Sequence, residues 1–198
     1  MNDPNGKDIG LAAELGRKAI HLFGLVVPLG MLILPAGVVR WALLTAFLIS
    51  VTIDLLRRGD SPLARAIRRV LGPVLRPHEL SRFSGGTYIL SAGAMCHLLF
   101  TLPVAVAALI AIVLGDTAAV FVGRYLGRIR LVGSKTLEGS LGFFAAALLG
   151  VLWIPQLPIH VKVIGSAAAA ITEALPLRLD DNLSVPLVAG VVMSLLLG

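Results

Sequence analysis

"PVAVAALIAIVLGDTAAVFVG", Pro103 to Gly123, is an apolar run interrupted by one carboxylate, Asp116. A helix needs about 20 mostly apolar residues to cross a bilayer, so the run is read as a transmembrane helix. An acid that deep costs about 2.5–3.5 kcal/mol on insertion scales. It therefore calls for a cation, a metal or a wet cleft beside it. Six further runs lie at 19–36, 38–56, 85–101, 137–154, 161–177 and 183–197. The expected fold is all-α: one polytopic membrane helical bundle over residues 1–198, with about seven transmembrane helices.

Composition supports that class. Of 198 residues 57% are hydrophobic and 14% charged, where a soluble domain carries about 25% charged residues. The net charge of +6 fits basic cytoplasmic loops. A nucleic-acid partner is not expected, for no basic soluble patch or set of stacking aromatics is visible. The lone Cys96 excludes an intramolecular disulfide. An oligomeric state cannot be read.

The loops set the orientation. Every basic residue except Arg40 and Lys162 falls on the side of the N-terminus, so that side is cytoplasmic and the C-terminus lies outside. The acids fall on the same side, although the positive-inside rule barely constrains them. Both signs gathered at one face suit a site for a charged cytoplasmic substrate.

Its pieces are local. Glu14, Arg17, Lys18 and His21 share one helical face. Asp54 ends the second span and can pair with Arg57 or Arg58. Ser61 to Leu80 reads as an interfacial amphipathic helix, capped by Ser61 and kinked or shortened at Gly72-Pro73, with Glu79 near its end. "SGGTY", Ser84 to Tyr88, lets a helix N-terminus approach a ligand closely. Asp116, Gly123 and Gly127 nearly eclipse on one helix face, which also suits simple helix packing. Arg124, Arg128 and Arg130 follow in a basic loop. Lys135, Thr136 and Glu138 then open a helix at its anion-favouring end. That loop lacks the spacing and the preceding strand of a Walker A motif. Glu173 ends a small-residue span. Asp180, Asp181 and Asn182 precede the next, where capping needs one of them. Carboxylates so placed suit Mg2+, which one or two carboxylates and substrate phosphates usually hold. Together these are the parts of phosphoryl transfer.

In combination Glu14-x-x-Arg17-Lys18-x-x-His21, Gly115-Asp116-Thr117-Ala118-Ala119, Gly123-Arg124 with Gly127-Arg128, Lys135-Thr136-Leu137-Glu138-Gly139-Ser140, Glu173 and Asp180-Asp181-Asn182-Leu183 resemble the dolichol kinase/phytol kinase family. These are CTP-dependent lipid-alcohol kinases related to phosphatidate cytidylyltransferases, and the resemblance spans roughly residues 14–190. It implies a minimal prokaryotic-type core in the plasma membrane, its active site facing the cytoplasm. It implies CTP as donor, Mg2+ as cofactor and a lipid alcohol in the bilayer (polyprenol or dolichol, a phytol-like prenyl alcohol, or diacylglycerol) as acceptor. Asp116 and Asp181, with Asp180 beside them, would hold the metal. Lys135, Arg124 and Arg128 would contact phosphates, with Thr136 and Asn182 at the nucleotide. Arg17 and Lys18 would close the cleft, and Glu138 would orient Lys135 or a metal-bound water. His21, Asp54 and Asp116 are the candidate proton acceptors. Glu14, Glu79 and Glu173 complete the charged set. Two rivals are cytidylyl transfer to phosphatidate and an ion-coupled transporter using Asp116 and Glu173 as relays.

Overall fold

The computed structural model describes residues 18, 20–72, 75, 77–80, 82–177 and 179–198. Among them eight α-helices form: α1 Val26–Ile33, α2 Ala36–Leu56, α3 Pro62–Leu71, α4 Gly85–Leu99, α5 Leu102–Leu126, α6 Leu137–Val151, α7 Ile159–Ala174 and α8 Asp181–Leu195. A short 3-10 turn spans Pro77–Leu80. No β-strand forms among the described residues; Arg130 and Thr136 make one isolated bridge. The all-helical expectation holds.

The hydrophobic pattern places α5 at the centre. From Val104 to Val113 its residues are buried on every side, as an all-round apolar helix should be. Helices α6 and α8 pack on it, and α7 packs on both. On α2, by contrast, only Val39, Leu43 and Asp54 are buried. Its outer face presents Trp41 at 69% and Leu48 at 62% exposure. Helices α2 and α5 are long and apolar enough to cross a membrane; the other apolar helices are shorter.

Helix starts follow local chemistry. Ser61, Ser84, Thr136 and Asp180 each cap the helix they precede, accepting from Ala64, Thr87, Gly139 and Asn182 N–H respectively. The run expected at 19–36 is broken near its start. Pro28 has no N–H, and Gly24 O instead accepts from Val27 N–H at 3.1 Å, in a turn at Gly24 and Leu25. The amphipathic helix ends at Leu71, just before Gly72-Pro73, so of the two outcomes expected there the helix is shortened. Arg65 donates to Asp60 O, and Arg68 to the carbonyls of Arg57 and Gly59. Part of that basic face thus caps the end of α2.

Helix lengths create a recess. At 1.5 Å per residue α5 is about 37 Å long, while α6 and α8 are about 22 Å. The N-terminus of α6 starts beside the last turn of α5, where Thr136 lies against Gly123, and Asp181 at the start of α8 lies within electrostatic reach of Asp116.

Candidate active site

Two lysines organise the recess. Lys18, 2% exposed, donates to Asp116 Oδ2 at 2.5 Å and to Asp116 O at 3.1 Å. His21, one turn on, places Nε2 3.3 Å from the same Oδ2. The Lys-x-x-His spacing thus brings both side chains onto the carboxylate that interrupts α5.

Lys135 sits across the recess, just before α6. Its ammonium lies 3.1 Å from Glu173 Oε1 and 3.0 Å from Asp181 Oδ2, and it also donates to Glu173 O. Three acceptors match the three donors of an ammonium. Burial would lower the Lys135 pKa, but Glu173 and Asp181 outweigh it and hold the group above its ordinary value. Asp116 lies near enough to Glu173 and Asp181 for like-charge repulsion. The two lysine clusters therefore belong to one electrostatic unit.

The loop that delivers Lys135 is ordered. Gly133 takes φ +61°, a left-handed conformation open to glycine. Lys135 N–H donates to Val132 O, Leu131 N–H to Lys135 O and Leu137 N–H to Ile129 O. Glu138 accepts Ile129 N–H on both oxygens at 3.2 Å, so it braces this loop. Thr136 fits the notch of the small residues on α5: a methyl added to Gly123 would meet its Oγ1 at 3.1 Å. The small face at Gly123 and Gly127 serves packing.

The third and fourth walls are helix N-termini. Glu79 Oε1 accepts Gly85 N–H at 2.7 Å. A methyl added to Gly85 would lie 3.2 Å from both that oxygen and Asn182 Nδ2. Asp180, Asp181 and Asn182 divide the work: Asp180 caps α8, Asp181 meets Lys135 and Asn182 faces α4.

Not all of the sequence candidates converge. Asp54 lies in a separate buried cluster. Its Oδ1 pairs with Arg57 Nε at 2.6 Å, and its Oδ2 accepts Ser84 N–H, Ser84 Oγ and Thr87 Oγ1. Arg57 goes on to donate to the carbonyls of Glu79, Leu80 and Arg82. This cluster pins the chain that carries Glu79 and positions α4. Arg124 and Arg128 are exposed at the end of α5. Glu14 and Arg17 lie outside the described residues. Sequence reasoning missed the reach of Arg57 to three carbonyls, for which no spacing rule exists. It also missed the Gly133-Ser134 turn, whose dipeptide is a known hairpin signal.

Among the described residues no three His, Cys, Asp or Glu side chains come together as a metal site. Asp116 is instead held by Lys18, and Glu173 and Asp181 by Lys135. A divalent cation accompanied by phosphate oxygens needs only one or two carboxylates.

Fold and site thus define an all-helical protein with an acid–lysine recess at one end. No protein-family model matches the chain, and no solved structure matches it. Similar curated proteins include an uncharacterized protein of Rickettsia prowazekii, 24% identical over 88% of this chain and 90% of that one. CTP-dependent diacylglycerol kinase 1 of Saccharomyces cerevisiae is 23% identical over 79% of this chain and 63% of its own length. The Schizosaccharomyces pombe protein of the same name is 26% identical over 76% of this chain and 78% of its own. The chain thus spans less than two thirds of the S. cerevisiae protein.

Proposed function

We propose that the chain is a CTP-dependent kinase of a membrane lipid alcohol. The observation that carries this reading is the pair of lysines lodged among carboxylates where three helix N-termini meet, in a chain similar to CTP-dependent diacylglycerol kinases. A triphosphate is the ligand such a recess suits. Its oxygens compete for Lys18 and Lys135, and the positive dipole ends at the helix starts favour its charge. Arg124 and Arg128 add charge from the open side. Asp116 and Asp181 would hold Mg2+, which when bound neutralises charge on the phosphates.

The lipid hydroxyl attacks the γ-phosphorus, the bond to the β-bridging oxygen breaks, and CDP leaves with the electron pair. The proton passes to the His21–Asp116 pair. Asp54 is not assigned that role, because Arg57, Ser84 and Thr87 already occupy both its oxygens. Glu138 acts through the loop that carries Lys135.

The exposed apolar surface of α2 and the common end of all recess residues support a multi-pass protein with seven crossings, the N-terminus and site cytoplasmic and the C-terminus outside. The membrane would be a prokaryotic plasma membrane. Within the lipid class, the relatives' name makes diacylglycerol the first acceptor to try, before polyprenol and phytol.

The test is turnover by the protein in liposomes, with each of the four nucleoside triphosphates and each acceptor, read by mass spectrometry. CDP and a lipid monophosphate are expected, with CTP preferred. Pyrophosphate and a CDP-lipid would replace the reading with cytidylyl transfer. Solute uptake without nucleotide turnover would replace it with transport.

A further inference from the structure

A second recess begins about one helical turn past Ser84, between α2, α4 and the start of α8. Its volume is about 290 Å³, and Phe47, Val51, Phe83, Tyr88 and Leu183 give it an apolar wall. Thr87, Ser91 and the hydroxyl-bearing Tyr88 are its polar members. It adjoins the charged recess at two points. Leu183 follows Asn182, whose amide faces Gly85. Thr87 hydrogen-bonds Asp54, the carboxylate that also holds the Ser84 N–H. Within its lining Phe83 meets Tyr88 edge-on, with ring centres 6.4 Å apart. The Arg58 guanidinium stands over the Phe83 ring, 4.6 Å from its centre.

An apolar body with a cationic rim matches an amphiphile: hydrocarbon inside, electron-rich head at the mouth. A larger hollow of about 850 Å³ along the outer face of α2, from Pro35 to Ile49, lacks this character. It has Thr45 as its one polar lining side chain and no charge. Ordinary ligand pockets run about 300–1,000 Å³, so the smaller recess holds a chain segment, not a whole two-chain lipid.

We propose that this recess takes one hydrocarbon chain of the acceptor lipid, with the lipid's hydroxyl directed past Gly85 and Asn182 towards the charged recess, and that its walls select chain shape. The inference rests on the lipid-kinase reading for its occupant. A two-chain acceptor leaves its second chain in the bilayer.

The test uses the full chain in liposomes with a long-chain alcohol bearing a terminal diazirine, photolysed without nucleotide. Adducts are expected on segments 47–51 and 83–91. Val51→Phe and Ser91→Leu, which fill the recess, should remove them while leaving adducts on the outer face of α2. Labelling spread evenly over the apolar surface, and unchanged by either variant, overturns the proposal. In turnover the filled variants should raise the KM for lipid about tenfold, the scale of one mismatched apolar contact, with the KM for CTP unchanged. Phe47→Ala, which enlarges the recess, should shift preference towards a branched prenyl alcohol. Equal changes in both KM values would count against the recess. Site-specific labelling in a protein that turns over no nucleotide leaves the recess standing and removes the kinase reading. Turnover with even labelling does the reverse.

Discussion

Lys135 carries more of the recess than any other side chain, because its one ammonium serves three acceptors on two helices. Lys135→Ala leaves Glu173 and Asp181 side by side without their cation. Loss of such a preorganised donor typically costs about 10²–10³ in kcat, which steady-state CTP turnover checks. The pH dependence has a defined sign. The folded pKa of Lys135 is raised above its ordinary 10.5, so its stabilising pairing is complete below that value. It is lost only as pH rises through the still higher folded value. The stability difference between the native chain and Lys135→Met should therefore be flat from neutrality to the ordinary lysine range and shrink above it. Asp54 is the second decisive residue. Both it and Arg57 are buried, and breaking such a pair costs about 3–5 kcal/mol. Asp54→Ala should lower stability by that much in detergent unfolding. The sequence offered Arg57 or Arg58 as partner of Asp54, and the fold uses Arg57. The carbonyls that Arg57 gathers were illegible, because they come from a segment more than twenty residues on.

Helix starts were legible at the level of elements, because each cap is a local event: Ser61, Ser84, Thr136 and Asp180 each satisfy an N–H within three residues. Close approaches between helices were not. Gly115 looked like part of a motif with Asp116, yet a methyl there would come within 2.5 Å of the buried Phe143 ring on α6. Gly115→Ala must move that ring. It should cost about 1–3 kcal/mol and weaken turnover, since Lys135 enters through the same α6. Unfolding and turnover measured on one preparation check both. The division of Asp180, Asp181 and Asn182 into cap, ion pair and inter-helix contact likewise depends on where α6 and α4 lie.

For the molecule as a whole, the apolar runs were visible as hydropathy and the gathering of charge at one end as loop composition. The central place of α5 was not, since uniformly apolar helices show no face by which to rank their burial. Orientation is testable directly. Cys96 is buried, so an introduced thiol labels over a low background. In intact cells a membrane-impermeant maleimide should label Gln156→Cys, between α6 and α7, and should reach Arg130→Cys, between α5 and α6, only after the membrane is opened. The reverse pattern would invert the topology and put the recess outside.

The central claim is that the acid–lysine recess transfers the terminal phosphate of CTP to a lipid hydroxyl. The measurement closest to it follows CTP labelled at the γ-phosphate in one sample and at the α-phosphate in another, in liposomes containing diacylglycerol. With the native chain, label should reach the lipid from the γ position alone, and transfer should vanish in folded Asp116→Asn and Lys135→Ala. Label arriving from the α position, or full transfer in both variants, would contradict it.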